Sequence, residues 1–330
     1  MTAEERTAEV RPLRAASARL RRIDPRTYVV YVAFLLILAF FAVTLGDDGF
    51  LTQTNLLNIV RQTTPITVMA VGLVFVLSAG EIDLSLGSVV ALSSLCSALA
   101  IRDYGLVAGI AAGLGVGFGA GLVNGLFTTL LRLPSFLVTL ATMGLAAGIA
   151  RWTTDLASVA VIDETFTHWF GSGDLGPAPS LAIWAIVVVG VGHFVYRHQR
   201  FGAHVVATGD NASAARFTGI HVARVKLAVL ILSGTLAGLA GLLYAGRIQS
   251  ATYTLGENDL LTVIAAVVIG GTRLFGGGGS VIGALIGSLL LGMLNNGLIL
   301  WGLSASGQMI AQGFLLLFAI SLTLREPKRS

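Results

Sequence analysis

The chain is 330 residues long, 55% hydrophobic and only 12% charged, with a mean hydropathy of +0.84. That composition argues against a water-soluble protein, because most of the apolar segments carry no water-facing stripe, and the single cysteine, Cys96, excludes disulfides and thiolate metal sites within one chain. The net charge of +4 comes from basic groups between and beside apolar runs, a distribution that points to membrane orientation and away from nucleic acid.

Residues 1–27 are rich in arginine and lack an apolar core, so they read as a cytoplasmic tail without a cleavable signal. A bilayer core takes about 20 apolar residues per helix, and lipid requires backbone polar groups to be satisfied internally. The apolar runs therefore predict an all-α, polytopic transmembrane helical bundle over 28–324. It has ten spans, at 28–45, 56–78, 84–101, 106–130, 135–152, 181–196, 226–246, 258–272, 280–300 and 307–324, with a second short tail at 325–330. The third and eighth are the weakest. Both are short and adjoin polar turns, Glu81-Ile82-Asp83 and Thr272-Arg273, so either can be tilted or broken inside the protein. Pro65 removes a backbone donor and predicts a kink in the second span.

Ten spans place both termini on one side. Of 21 lysines and arginines, only Arg61, Arg102, Arg151 and Arg247 fall at the other side. The positive-inside rule then puts both tails and the loop 197–225 in the cytoplasm. The loop 153–180, with four acids and no lysine or arginine, lies outside. Asn124-Gly125-Leu126 and Asn296-Gly297-Leu298 are 172 residues apart, and the same offset carries spans 2–5 onto spans 7–10. An offset of five spans reverses orientation, which predicts an inverted repeat.

The loop from 197 contains a short helix with clear ends. Asn211 or Asp210 can cap it, Ala212 to Phe217 suit a helix, and Gly219 can stop it in the left-handed region. A capped helix between spans suits the docking of another protein. Catalytic constellations are missing from the sequence. Gly276 to Gly279 are followed by Ser280-Val281, without the Lys-Ser/Thr of a phosphate loop, and no zinc-protease, serine-hydrolase or Cys/His pattern occurs. The acids sit at span edges, so no buried carboxylate offers itself for ion coupling.

Asp83 has two readings: a gate or docking contact in a cytoplasmic turn with Gly80, Ser85 and Gly87, or the N-cap of the third span. Polar residues within spans are candidates for a substrate path: Gln62, Thr63, Thr67, Asn124, Asn295, Asn296, Gln308 and Gln312. Each serves equally as glue between helices. Arg61, Glu257 and Asp259 fall near the outer face, as contacts for a partner or simply among lipid headgroups.

Four stretches resemble the permease subunits of bacterial ABC importers for monosaccharides, the ribose, xylose and autoinducer-2 branch. They are Ala79 to Ser88, Gly121 to Gly125 with Leu133 to Leu140, the loop 201–220, and Ile264 to Asn296. The departure is Glu81, where many relatives have glycine. The resemblance implies a location in the bacterial inner membrane and a second permease chain, most simply an identical one. It also implies a cytoplasmic ATPase that binds ATP and Mg, and an extracytoplasmic sugar-binding protein; the chain itself would hold no cofactor. The helix at 210–219 would be the coupling helix, with Gly209, Asn211, Ala214, Ala215, Arg216 and Gly219 in the family pattern. Ala212, Ala214 and Ala215 would allow close approach and Arg216 would meet an acid on the ATPase, unless it is only a positive-inside arginine. A branched-chain amino-acid permease and an ion-coupled secondary carrier are the alternatives.

Overall fold

The computed structural model describes residues 26–304, 306–311 and 313–314. All but the end of the predicted N-terminal tail, the tail at 325–330, Gln312 and most of the tenth predicted span lie outside the described residues. The helices are α1 (Arg26–Thr44), α2 (Gln53–Ser78), α3 (Leu86–Tyr104), α4 (Leu106–Thr129), α5 (Ser135–Thr154) and α6 (Glu164–Phe170). They continue with α7 (Ser180–His198), α8 (Arg200–Asp210), α9 (Ala212–Phe217), α10 (Val222–Ile248), α11 (Asp259–Ile269) and α12 (Val281–Leu300). Two small antiparallel ribbons pair β1 (Val159–Ala160) with β4 (Ser250–Ala251), and β2 (Asp174–Leu175) with β3 (Ala178–Pro179). Seven helices, α2, α3, α4, α5, α7, α10 and α12, are long and apolar enough to cross a bilayer. The apolar part of α1 and the whole of α11 are shorter.

The centre is made by α2 and α10. From Thr63 to Ser78 every residue of α2 is buried, and so is every residue of α10 from Ala237 to Gly246. Helices apolar all round belong in such a position. α2 continues as one helix through Pro65, with the hydroxyls of Thr63 and Thr64 donating to the carbonyls of Ile59 and Val60.

α4 buries only a narrow stripe: Gly109, Gly113, Gly117, Gly121 and Gly125, with Asn124 and Thr128 beside them. A spacing of four sets the glycines on one face, where missing side chains let backbones approach. A Cβ at Gly117 would lie 2.8 Å from the Cα of Gly238 on α10. Gly117→Leu is expected to destabilise the fold by about 3 kcal/mol, an overpacking cost. The readout is the temperature at which the purified protein loses monodispersity. Gly119→Leu is the matched control, since nothing lies within 4 Å of that position.

The third predicted span is shifted and preceded by extended chain. Residues 81–85 run without helix into the bundle, and Glu81, Asp83 and Ser85 are buried. Non-helical backbone at membrane depth is tolerated only where protein satisfies it, and α5 does so. The Ile82 amide donates to Ser135 Oγ at 3.0 Å, the Leu84 amide to Thr139 Oγ1 at 3.1 Å, and Thr139 Oγ1 donates to the Ile82 carbonyl at 3.2 Å. The eighth predicted span, 258–272, is corrected to α11, 11 residues long. At about 1.5 Å per residue it is some 16 Å, well short of a hydrocarbon core of about 30 Å. Its chain stops at Gly270 and Gly271, the latter at φ +89°.

One end of the bundle carries α8, α9 and the loop 270–280, and is the basic end. The opposite end carries the segments 155–179 and 249–258. The first of these is not a bare loop. Asp163 caps α6 by accepting the Phe166 amide at 2.8 Å, Phe166 stacks on Phe170, and Phe170 stacks on Trp184 of α7.

Candidate functional site

At the basic end α9 has the limits its sequence predicts. The Asn211 side chain accepts the amides of Ser213 at 3.1 Å and Ala214 at 2.9 Å. Gly219, at φ +88°, closes the helix, with its amide on the Arg216 carbonyl and the Ile220 amide on the Ala215 carbonyl. Two features differ from expectation. Residues 200–210 form a helix of their own, α8, because Gly202, Val205 and Thr208 make a buried face. Ala215 is buried against the rest of the chain, so it does not belong to a free docking face. The exposed side of α9 consists of Ser213, Ala214, Arg216 and Phe217, the last 93% exposed. Phe217 served in sequence only as the end of a helix. Its exposure depends on which side of a two-turn helix meets the bundle, which no local pattern fixes.

Gly209 forms the joint behind α9. It lies against the Ser78 carbonyl at the end of α2 and the Gly277 amide in the loop 270–280, while Gly80 and Gly276 approach it from two sides. Gly277 donates to the Ser78 carbonyl at 3.2 Å, and Ser78 Oγ meets Tyr196 Oη at 2.8 Å. α2, α7, α8 and the loop before α12 thus converge where α9 departs.

The expected cytoplasmic turn of Gly80, Asp83, Ser85 and Gly87 is not a turn at one end. Gly80 lies at the basic end, whereas Asp83 and Ser85 lie inside the bundle and Gly87 touches Gly256 and Glu257 of the opposite end's loop. Asp83 Oδ1 accepts Ser85 Oγ at 2.6 Å and the Ser85 amide at 3.0 Å, and Oδ2 accepts Ser233 Oγ of α10 at 2.8 Å. Asn124 Nδ2 donates to Ser85 Oγ at 3.0 Å, and Thr142 Oγ1 donates to Asn124 Oδ1 at 2.6 Å. The carboxylate takes the amide of Ser85, which is itself the N-cap of α3 and makes no side-chain cap bond, so Asp83 is not the N-cap; with Ser85, Ser233 and Asn124 it ties α10, α4 and α5 together. Ser233, Thr139 and Thr142 were not candidates in sequence, since lone hydroxyls within spans announce no partner.

Glu81, the departure from the resembling pattern, is buried and forms an ion pair with Lys226 of α10. Lys226→Met is expected to cost about 2 kcal/mol. That is below the 3–5 kcal/mol of a fully buried pair because Lys226 keeps some contact with solvent. Glu81→Leu/Lys226→Met should restore most of the loss in thermal melting.

Of the path candidates, Asn124 is a member of the Asp83 network, and Asn296 exchanges two hydrogen bonds with Asn55 of α2, each at 2.9 Å. Thr67 Oγ1 meets Ser288 Oγ of α12 at 2.6 Å, Asn295 is half-buried beside Asn296, and Gln308 Nε2 donates to the Leu303 carbonyl at 3.0 Å. These contacts join elements or lie within one. Gln62 is different: with Asn58, Arg61 and Arg247 it lines a cavity of about 270 Å³ at the end opposite α9. Of the outer-face charges, Arg61 pairs with Asp174 at 2.6 Å, Glu257 with Arg151 at 2.7 Å, and Asp259 accepts the Tyr244 hydroxyl.

A multi-pass helical bundle, cross-tied by polar pairs and presenting a small capped helix at one end, is the build of a membrane translocation subunit. Residues 55–320 match the family described as branched-chain amino acid transport system / permease component, and the chain belongs to that family. It is 39% identical to the ribose import permease of Escherichia coli (strain K12) over 298 residues, 88% of this chain and 91% of the relative. With the ribose import permease of Bacillus subtilis (strain 168) it shares 39% over 282 residues, 85% and 88% of the two chains. With the xylose transport system permease of Escherichia coli (strain K12) it shares 30% over 383 residues, 97% of each. No solved structure matches the chain.

Proposed function

We propose that this chain is the translocation subunit of an ATP-driven ABC importer that moves a monosaccharide of the pentose or hexose class. The observation that carries the reading is the capped helix α9 and its exposed Arg216–Phe217 edge, found in a chain whose relatives are ribose and xylose permeases. In this reading α9 is the coupling helix seated on a cytoplasmic ATPase, which binds the ATP and Mg, and the opposite end receives an extracytoplasmic sugar-binding protein. The basic end then faces the cytoplasm with both termini, and the protein lies in the bacterial inner membrane beside a second, identical permease chain.

An inverted repeat, with α11 as a short half-way helix in place of the eighth span, is supported by the packing. Shifting α2, α3 and α4 by 172 residues brings them onto α10, α11 and α12. α4 lies on α10 with Gly125 against Leu227, and α12 lies on α2 with Asn296, one residue before the offset partner of Gly125, against Asn55, the offset partner of Leu227.

The test is reconstitution in lipid with an ATPase and a sugar-binding protein from the same importer. ATP turnover should require all three components. Arg216→Glu should weaken ATPase association about tenfold or more by opposing the acidic partner, without loss of folded permease. Uptake driven by an ion gradient without ATP would overturn the reading. Transport of leucine or valine in place of a sugar would transfer it to the branched-chain amino-acid class named in the family description.

A further inference from the structure

We infer that the Glu81–Lys226 ion pair is a latch holding the buried 81–85 segment against α10, and that the bundle opens at its basic end by parting this pair. The inference rests on the import reading above and adds which seam moves when α9 is driven. Lys226 lies one turn into α10, and α9 joins that turn through a tight connection. The Ile220 amide donates to the Ala215 carbonyl at 3.0 Å, the Val222 amide to the Ile220 carbonyl at 2.9 Å, and the Val225 amide to the His221 carbonyl at 3.1 Å. A displacement of α9 therefore reaches Lys226 before it reaches the interior. Glu81 is anchored elsewhere, with its amide on the Val76 carbonyl of α2 at 3.1 Å. The pair thus bridges the unit that α9 moves and the unit that stays with α2.

The 81–85 segment has two seams, and they differ in kind. Towards α5, Ser135 and Thr139 hold the amides of Ile82 and Leu84 and the Ile82 carbonyl. Parting that seam would strand backbone groups inside the bundle, where each unpaired group is costly. Towards α10 the polar contacts run between side chains: Glu81 with Lys226 and, deeper, Asp83 with Ser233. The Glu81 side chain is 6% exposed and that of Lys226 27%. Water reaches the pair from the lysine side, so once it parts both charges can be hydrated there instead of staying unpaired in the protein. The seam to α10 is the one that opens at lower cost. The second non-helical segment is fastened in a similar way at the opposite end. Tyr253 and Glu257, at the 172-residue offset from Glu81 and Ser85, both meet Arg151 of α5. Its guanidinium lies 5.3 Å over the Tyr253 ring and pairs with Glu257 at 2.7 Å. Each such segment is therefore held by one cation from a neighbouring helix.

Labelling of the permease in lipid nanodiscs by a membrane-impermeant maleimide tests this, with Cys96→Ser as background and Val229→Cys as reporter. Val229 is fully buried and shares a face of α10 with Lys226 and Ser233, so it lies along the seam. With the ion pair intact, labelling should be slow. Lys226→Met strands Glu81 in the protein and should raise the rate about tenfold or more, whereas Glu81→Gln leaves a lysine that reaches solvent and should raise it about threefold. Ser135→Ala loosens the α5 seam instead, and should lower the melting temperature without faster labelling. No acceleration in Lys226→Met and Glu81→Gln, or equal acceleration in Ser135→Ala, would overturn the inference. In the assembled importer, trapping the ATPase with ATP and vanadate should change the labelling rate of the protein with an intact pair. Latch variants that behave as expected in the permease alone, with labelling indifferent to ATPase and ATP, would instead overturn the import reading alone.

Discussion

Replacing Gly209 with valine is expected to abolish ATP-coupled uptake and to lower the melting temperature of the purified permease sharply. A Cβ at this position would sit 2.8 Å from the Gly277 nitrogen and 2.9 Å from the Ser78 carbonyl carbon. Both are backbone atoms, and they are themselves joined by the Gly277–Ser78 hydrogen bond. No rotamer change relieves such a clash, so the valine must separate α8 from the end of α2. The cost is placed at about 3 kcal/mol or more, the upper range of overpacking. Phe217→Ala supplies the contrast. That side chain is 93% exposed, so its loss should change stability by less than about 0.5 kcal/mol. It should nevertheless weaken ATPase association about tenfold if the ring anchors the docking face. The two variants separate transmission from docking: one breaks the joint behind α9, the other only its tip. Wild-type melting and uptake in Gly209→Val would show that the joint carries no load.

Long apolar runs were legible because lipid leaves one local solution for the backbone, and α4, α5, α7 and α12 begin and end within two residues of the expected limits. α9 was legible for a similar reason, since Asn211 and Gly219 act on amides and carbonyls a few residues away. What failed was depth. Glu81 to Ser85 looks like a polar turn, and nothing nearby in sequence shows that Ser135 and Thr139 will supply the hydrogen bonds that take it into the bundle. Asn124 and Asn296 had two readings in sequence, path lining or glue between helices, and their hydrogen-bond partners, Thr142, Ser85 and Asn55, come from segments that no local pattern connects to them. Gln62 gave no stronger signal than these. Only the arrangement of α2 against Arg247 and the 171–172 segment distinguishes it.

Asp83→Ala is expected to cost about 3 kcal/mol, the penalty of leaving buried neutral donors without their acceptor. Asp83→Asn should cost only about 1 kcal/mol, comparable to a single ordinary hydrogen bond. The difference follows from the direction of the bonds. Thr142 donates to Asn124, Asn124 to Ser85, and both Ser85 and Ser233 to the carboxylate, so every proton in the chain points towards Asp83. Alanine leaves the Ser85 amide and two hydroxyls without an acceptor at a site with no exposure. Asparagine keeps one oxygen for Ser85 and turns its amide towards Ser233, whose hydroxyl can rotate to accept. Chemical melting of the three proteins in the same detergent gives the energies, and uptake gives the role. If Asp83 is a structural hub, transport follows stability and the asparagine variant still moves sugar. An asparagine variant that melts like wild type but carries nothing would show that the negative charge itself is used during translocation. Asp83 would then be the gate that its position between both ends of the bundle permits.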